Sequence, residues 1–165
     1  MREHLAGEEY FLANYGDVLT DAPLPDMIET LRNSGKTASV LAVRPNYSFH
    51  VLSLGDGPEI TDVMDVTRAG LWINGGYFVF RADLFDHMRP GEDLVLEPFQ
   101  RLIAANLLLG YRYEGFWAPM DTLKDKNQLE SLFESGVAPW RVWEPDGRNG
   151  TSAPAEQALA RTPPG

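Results

Sequence analysis

The stretch Leu71-Trp72-Ile73-Asn74-Gly75-Gly76-Tyr77-Phe78-Val79-Phe80 is aromatic and β-branched, the composition of a buried strand. Two consecutive glycines interrupt it. Glycine weakens a strand interior, so the pair marks a bulge or a place where a ligand approaches the backbone. Asn74, beside them, can both donate and accept hydrogen bonds, which suits sugar hydroxyls. A plain bulge with a self-satisfied Asn explains the same residues.

Outward from this strand the pattern alternates between periods. Upstream, Tyr10 to Tyr15 reads as a buried strand that runs into a turn at Gly16-Asp17. A helix then starts between Asp21 and Pro25, places Met27, Ile28 and Leu31 on one face and stops at Gly35. Thr37 to Val43 is a strand ended by Pro45. Phe49–Leu54 and Glu59–Val66 form a hairpin around Gly55-Asp56-Gly57-Pro58. Downstream, Arg81 to Met88 reads as a short helix broken by Pro90-Gly91. Glu97-Pro98 opens another, with Phe99, Leu102 and Ile103 inward. Leu107 to Tyr113 is a strand and Gly115 to Pro119 a loop. A helix capped by Asp121 runs to about Glu134 and stops at Gly136. Trp140 and Trp143 pack it onto the body. The order predicts an α/β fold with a mixed β-sheet flanked by helices. Residues 1–144 form the domain; residues 145–165, rich in Gly, Pro, Ala, Ser and Thr, read as a disordered tail.

Composition narrows the function classes. The chain has 165 residues, 44% hydrophobic and 23% charged, enough for one domain with a real core. It has no cysteine, which excludes a disulfide scaffold, a thiolate zinc site and a cysteine nucleophile. The 14 Lys+Arg against 24 Asp+Glu give a formal net charge of −10. That balance argues against nucleic acid and against an anionic membrane surface as partners. A phosphorylated small molecule needs only a local basic group or a bridging cation. Nothing near Met1 resembles an apolar leader and no apolar run approaches ~18 residues, so the expected location is the cytoplasm.

Two carboxylates stand out. Asp17, in Tyr15-Gly16-Asp17-Val18, falls at the carboxyl end of a strand, where open α/β sheets bind ligands. Asp121, in Gly115-Phe116-Trp117-Ala118-Pro119-Met120-Asp121-Thr122, could be a second ligand for a hard divalent cation. Turn geometry accounts for the first and helix capping for the second just as well. His4, His50 and His87 have no metal-ligand spacing, Ser48 and Ser53 no nucleophile elbow, and no Walker A or G-x-G-x-x-G loop occurs.

These segments resemble the sugar-1-phosphate nucleotidylyltransferases, and among them the glucose-1-phosphate cytidylyltransferase branch. The matching stretches are Phe11–Asp21, Ile73–Val79, Glu97-Pro98-Phe99, Gly115–Lys126 and Ala138–Glu144, in the family's order. The resemblance covers residues from about 8 to 144. It implies a partial Rossmann-like nucleotidyltransferase fold. Asp17 and Asp121 would be the catalytic pair that holds Mg²⁺. Tyr15 and Gly16 would flank the nucleotide sugar, Asn74 and Gly75 would lie near the hexose, and Trp117 would shape the pocket wall. The implied substrates are CTP and glucose 1-phosphate or a related sugar 1-phosphate. The sugar-phosphate oxygen attacks the α-phosphorus and pyrophosphate leaves.

Three departures bear on that implication. The family opens on a strand and a Gly-rich loop ending in Thr-Arg, followed by Pro-Lys, which cradles the triphosphate; the sequence has no such segment. Activity of the chain alone is therefore not expected. The alternative is a non-catalytic remnant, or a half that pairs with another chain or forms a homo-oligomer. Val18 stands where the family has Gly, and a branched side chain there is expected to crowd the ligand. Met64-Asp65-Val66-Thr67-Arg68 replaces a Glu-Lys-Pro segment whose Lys contacts the sugar phosphate. Arg68 is the nearest substitute, at a position that is not equivalent.

Overall fold

The structure, a computed structural model, describes residues 2–47 and 49–143. Ser48 and the proposed tail over residues 145–165 lie outside the described residues. The strands are β1 (Tyr10–Asn14), β2 (Val18–Thr20), β3 (Ala38–Val43), β4 (His50–Leu54), β5 (Ile60–Asp65), β6 (Ile73–Arg81), β7 (Leu108–Tyr113) and β8 (Trp117–Pro119). The helices are α1 (Leu24–Ser34), α2 (Glu97–Ala104) and α3 (Leu123–Glu134).

The main sheet has the order β1-β6-β3-β7. β6 runs antiparallel to both β1 and β3, while β3 and β7 are parallel. The expected mixed α/β sheet is therefore present, with β6 near its centre. The register between β3 and β6 shifts between Val40 and Ala42, opposite the glycine pair, and Gly76 has φ +74°. The fault in the opening stretch is a bulge.

Each face of the sheet buries its own core. Met27 and Leu31 of α1, both fully buried, pack on Leu41, Val43 and Val79. Each such side chain contributes roughly 1.5–3 kcal/mol of burial free energy. Phe99 and Leu102 of α2 cover Ala38, Phe78 and Phe80 on the other face. Pro25 sits in the first turn of α1, and Gly35 ends the helix at φ +67°, a conformation that favours glycine.

Several expectations need correction. β1 is half-buried, with Leu12 and Tyr15 exposed, because it lies at the sheet's edge. The short helix expected after β6 is present, as a 3₁₀ helix over Ala82–His87 anchored by Leu84. Gly115–Pro119 is not all loop: β8 pairs antiparallel with β2, and neither strand is long enough to show a period. Asp121 does not cap α3. Thr122 does, accepting from the Asp125 amide while the Asp125 carboxylate accepts from the Thr122 amide. Trp140 packs on Phe116, ring centroids 5.5 Å apart, but Trp143 is exposed.

The β4–β5 hairpin forms its own two-stranded sheet, and Leu52, Leu54, Ile60 and Val63 on it are exposed. No helix among the described residues is long and apolar enough to cross a membrane.

Candidate functional site

The site forms where two short ladders meet the β6 bulge. β1 ends at Asn14, and the chain passes through Tyr15-Gly16-Asp17 into β2. β2 pairs with β8 in the register Val18↔Pro119, Leu19↔Ala118, Thr20↔Trp117. The Met120 N–H then donates to the Asp17 carbonyl at 2.8 Å, one step beyond the last pair. Asp17 consequently lies opposite Met120, the residue just before Asp121. Two carboxylates remote in sequence belong to neighbouring turns, and both residues are exposed.

The cap at Thr122 leaves the Asp121 carboxylate outside the helix. Its contact is the Tyr47 hydroxyl, which donates to Oδ2 across a long 3.4 Å. Burial, and then the charge of Asp121, raise the Tyr47 pKa, so the phenol stays protonated and a donor at neutral pH. Among the described residues no three or more His, Cys, Asp or Glu gather as a metal site. A pair of carboxylates nevertheless fits Mg²⁺, which takes one or two from protein and completes its shell with phosphates and water.

The bulge supplies the other wall. The Tyr15 N–H donates to the Gly76 carbonyl at 2.8 Å, and Asn74 Nδ2 donates to the Tyr15 hydroxyl at 3.3 Å. Asn74 Oδ1 accepts the Gly76 N–H at 2.9 Å. On the opposite face, Trp117 Nε1 donates to the Gly75 carbonyl at 2.8 Å. A side chain at Gly75 would press on Leu41 O at 3.0 Å and on the Val43 and Leu41 side chains, so glycine here lets β3 and β6 approach closely. A Cβ at Gly16 would meet nothing within 4 Å, which leaves that turn open to an approaching ligand. Val18 does not crowd it. Its side chain is buried in the α1 core with Trp117, and its carbonyl accepts from the Tyr77 hydroxyl at 3.0 Å.

A cavity of about 320 Å³ opens beside Asn74, lined by Val40, Ala42, Trp72, Ile73 and, from the α2 side, Val95 and Phe99. It is an open depression at the small end of ligand-site volumes, with apolar walls and the Asn74 amide. Hydrogen bonds link Tyr15 to Asn74 and Trp117 to Gly75, and the short ladder sets Asp17 opposite Met120. Of the predicted residues Asn74 lines the cavity, whereas the Trp117 side chain is buried in the α1 core on the other face and does not form its wall. Arg68 is not joined to these residues by any hydrogen bond or ion pair among the described residues. It ends the 3₁₀ turn Val66–Arg68, exposed, beside Asp65, whose pKa the Thr67 hydrogen bonds lower, with a smaller contribution from the Arg68 charge. Sequence reasoning did not single out Tyr47, Arg44 and Arg112. Their proximity arises from strand register and from the loop after Pro45, which no local pattern encodes.

Gly76→Ala is expected to destabilise the protein by about 1–3 kcal/mol, since a non-glycine residue at such a φ is strained. Its Cβ would also fall 2.8 Å from Tyr15 Cδ2 and push the ring off Asn74. Chemical denaturation checks the first effect. A change of less than 0.5 kcal/mol would show that the bulge relaxes freely.

No family model matches the chain. Over 144 residues it is 34% identical to the glucose-1-phosphate cytidylyltransferase of Salmonella typhimurium, covering 86% of this chain and 56% of that protein. A Bacillus subtilis protein assigned the same activity is 31% identical over 139 residues, covering 83% of this chain and 54% of its own. The chain spans about half the length of the curated relatives it matches. In fold it resembles a Bacillus anthracis structure described as a glucose-1-phosphate thymidylyltransferase in complex with sucrose, with a TM-score of 0.57 at 13% identity. That likeness covers 82% of this chain and 57% of that one. The fold is a nucleotidyltransferase fold, and the chain is related to the sugar-1-phosphate nucleotidylyltransferases. Within that family its sequence likeness is to the glucose-1-phosphate cytidylyltransferases.

Proposed function

We propose that the protein takes part in cytidylyl transfer from CTP to glucose 1-phosphate or a related sugar 1-phosphate, releasing pyrophosphate. The observation that carries this reading is the β2–β8 ladder. It sets the Asp17 turn beside Met120, next to Asp121, and Tyr15 of the same turn is hydrogen-bonded to Asn74 of the cavity wall. Asp17 and Asp121 would hold Mg²⁺, which supplies charge neutralisation to phosphate oxygens when bound. Asn74 would orient sugar hydroxyls. Tyr15, fixed by Asn74 and by Gly76, would form the wall between sugar and nucleotide. The chain's part in the reaction is then positioning, which alone can supply a large share of a phosphoryl-transfer barrier.

A second reading has its own support. β1 is an edge strand, and the β4–β5 hairpin exposes apolar side chains to solvent. Unpaired edges and apolar patches favour association. The chain would then hold the sugar phosphate and complete the site with another chain.

The test is pyrophosphate release by the purified protein with CTP, glucose 1-phosphate and Mg²⁺, beside direct titration with glucose 1-phosphate. Release supports the first reading. Binding without release supports the second. Neither binding nor release removes both.

A further inference from the structure

We propose that Arg112 and Arg44, rather than Arg68, receive the phosphate of the sugar phosphate at the open end of the cavity. This deepens the reading above and rests on it.

The argument starts from register. Ala42 of β3 pairs with Asn74 of β6 on one side and with Arg112 of β7 on the other. Residues paired across adjacent strands project from the same face of a sheet. Asn74, Ala42 and Arg112 therefore make one row. The row lies on the α2 side, because Ala42 and Asn74 line the cavity together with Phe99 of α2. Tyr111 and Tyr113, which flank Arg112 along β7, pack into the opposite core. Alanine is the shortest side chain that such a row could have at its middle. It leaves a gap over which the amide of Asn74 and the guanidinium of Arg112 can face one ligand.

A second arginine lies against the same aromatic ring as Arg112. The Arg44 guanidinium carbon lies 4.0 Å from the centre of the Trp72 ring, and that of Arg112 lies 5.5 Å from it. Trp72 is itself a wall of the cavity. A guanidinium held over an indole keeps its donors in a fixed plane, which suits a phosphate. Two guanidinium groups beside one ring repel each other unless an anion lies between them. Arg44 is partly engaged: Nη1 donates to the Leu71 carbonyl at 3.2 Å, and Nε lies 3.7 Å from Glu114 Oε1. That ion pair is exposed on both sides and weak. Arg112 has no hydrogen bond or ion pair among the described residues. In a chain of net charge −10, two cations held against the Trp72 wall of an apolar cavity favour an anionic ligand. The ligand class is a phosphomonoester carried on a small polyhydroxylated ring: the ring in the cavity against Asn74, the phosphate at the arginines.

The test is calorimetric titration of the full chain with glucose 1-phosphate, glucose and inorganic phosphate. The wild-type protein should bind glucose 1-phosphate at least about tenfold more tightly than glucose, the increment expected of charge-assisted hydrogen bonds. Arg112→Gln and Arg44→Gln should each remove most of that increment and leave glucose binding unchanged. Arg112→Lys should restore part of it, keeping the charge without the planar fork. Arg32→Gln, which removes a charge from α1 on the other face, should change neither ligand. Asn74→Ala should weaken glucose and glucose 1-phosphate alike. Glucose 1-phosphate binding that survives both arginine variants at full strength overturns the proposal and leaves the sugar-phosphate reading standing. A wild-type protein that binds none of the three ligands ends both.

Discussion

Trp117→Ala should cost about 3–5 kcal/mol of stability, and Trp117→Phe about 1–2 kcal/mol. The indole is buried in the α1 core among Val18, Leu41 and Val43, and its one polar atom donates to the Gly75 carbonyl. Alanine leaves a cavity and an unpartnered carbonyl in the bulge. Phenylalanine fills most of the volume but cannot donate, so its cost isolates the hydrogen bond from the packing. For a chain of this size the alanine variant should melt about 10 °C lower. Because Trp117 also pairs with Thr20, it ties β8, β2 and β6 at one point. Both variants should therefore weaken glucose 1-phosphate binding as the Asn74 turn loosens. Urea denaturation and titration on the same samples check both halves. A phenylalanine variant as stable as the wild-type protein would show that the Nε1 hydrogen bond contributes nothing. A phenylalanine variant with unaltered ligand affinity would show that the bulge does not need it.

What was legible in the sequence and what was not divide along a physical line. The long elements carry their own periodicity. Met27, Ile28 and Leu31 mark the inner face of α1, and Gly35 its end, from spacing alone. The two glycines of β6 mark its bulge because no other residue relieves strand geometry so simply. The α/β mixed sheet follows from the order of those elements. β2 and β8 have three residues each and no period to read; they exist because each satisfies the other's backbone. Asp121 looked like a helix cap because Asp is good at that position. Thr122 outcompeted it, because Thr122 and Asp125 satisfy two amides reciprocally where Asp121 would satisfy one.

The site divides in the same way. Asp17, Asn74 and Asp121 could be singled out because their residue types stand at strand ends and turns. Their convergence could not, since it depends on the Asp17–Met120 hydrogen bond that extends the short ladder. Arg68 attracted the phosphate-binding role by nearness in sequence to a replaced motif. Arg112 lies 44 residues from that motif's end yet in the same cross-strand row as Asn74. Charge in a folded sheet is delivered across strands, so sequence distance is a poor guide to which arginine meets a ligand.

The largest effect on function is expected from the two carboxylates. Asp17→Asn or Asp121→Asn should reduce any Mg²⁺-dependent pyrophosphate release by roughly 10²–10³-fold, the several kcal/mol that a metal-held charge contributes in such a reaction. Stability in metal-free buffer should barely change, within about 0.5 kcal/mol, because both residues are exposed. The change should be neutral or favourable, since each substitution removes a negative charge from a chain of net charge −10. Adding Mg²⁺ reverses the comparison. An ion that binds only the folded protein raises its melting temperature by mass action, and the wild-type protein should show that rise. Neither single variant should show it, and the double variant should lose no more than either one, because two ligands of one ion act as a unit. A Mg²⁺-induced rise of equal size in wild type and both variants would place the ion elsewhere. Losses that simply add in the double variant would mean that the two aspartates work independently, and the β2–β8 ladder would then be a structural device rather than the frame of a shared metal site.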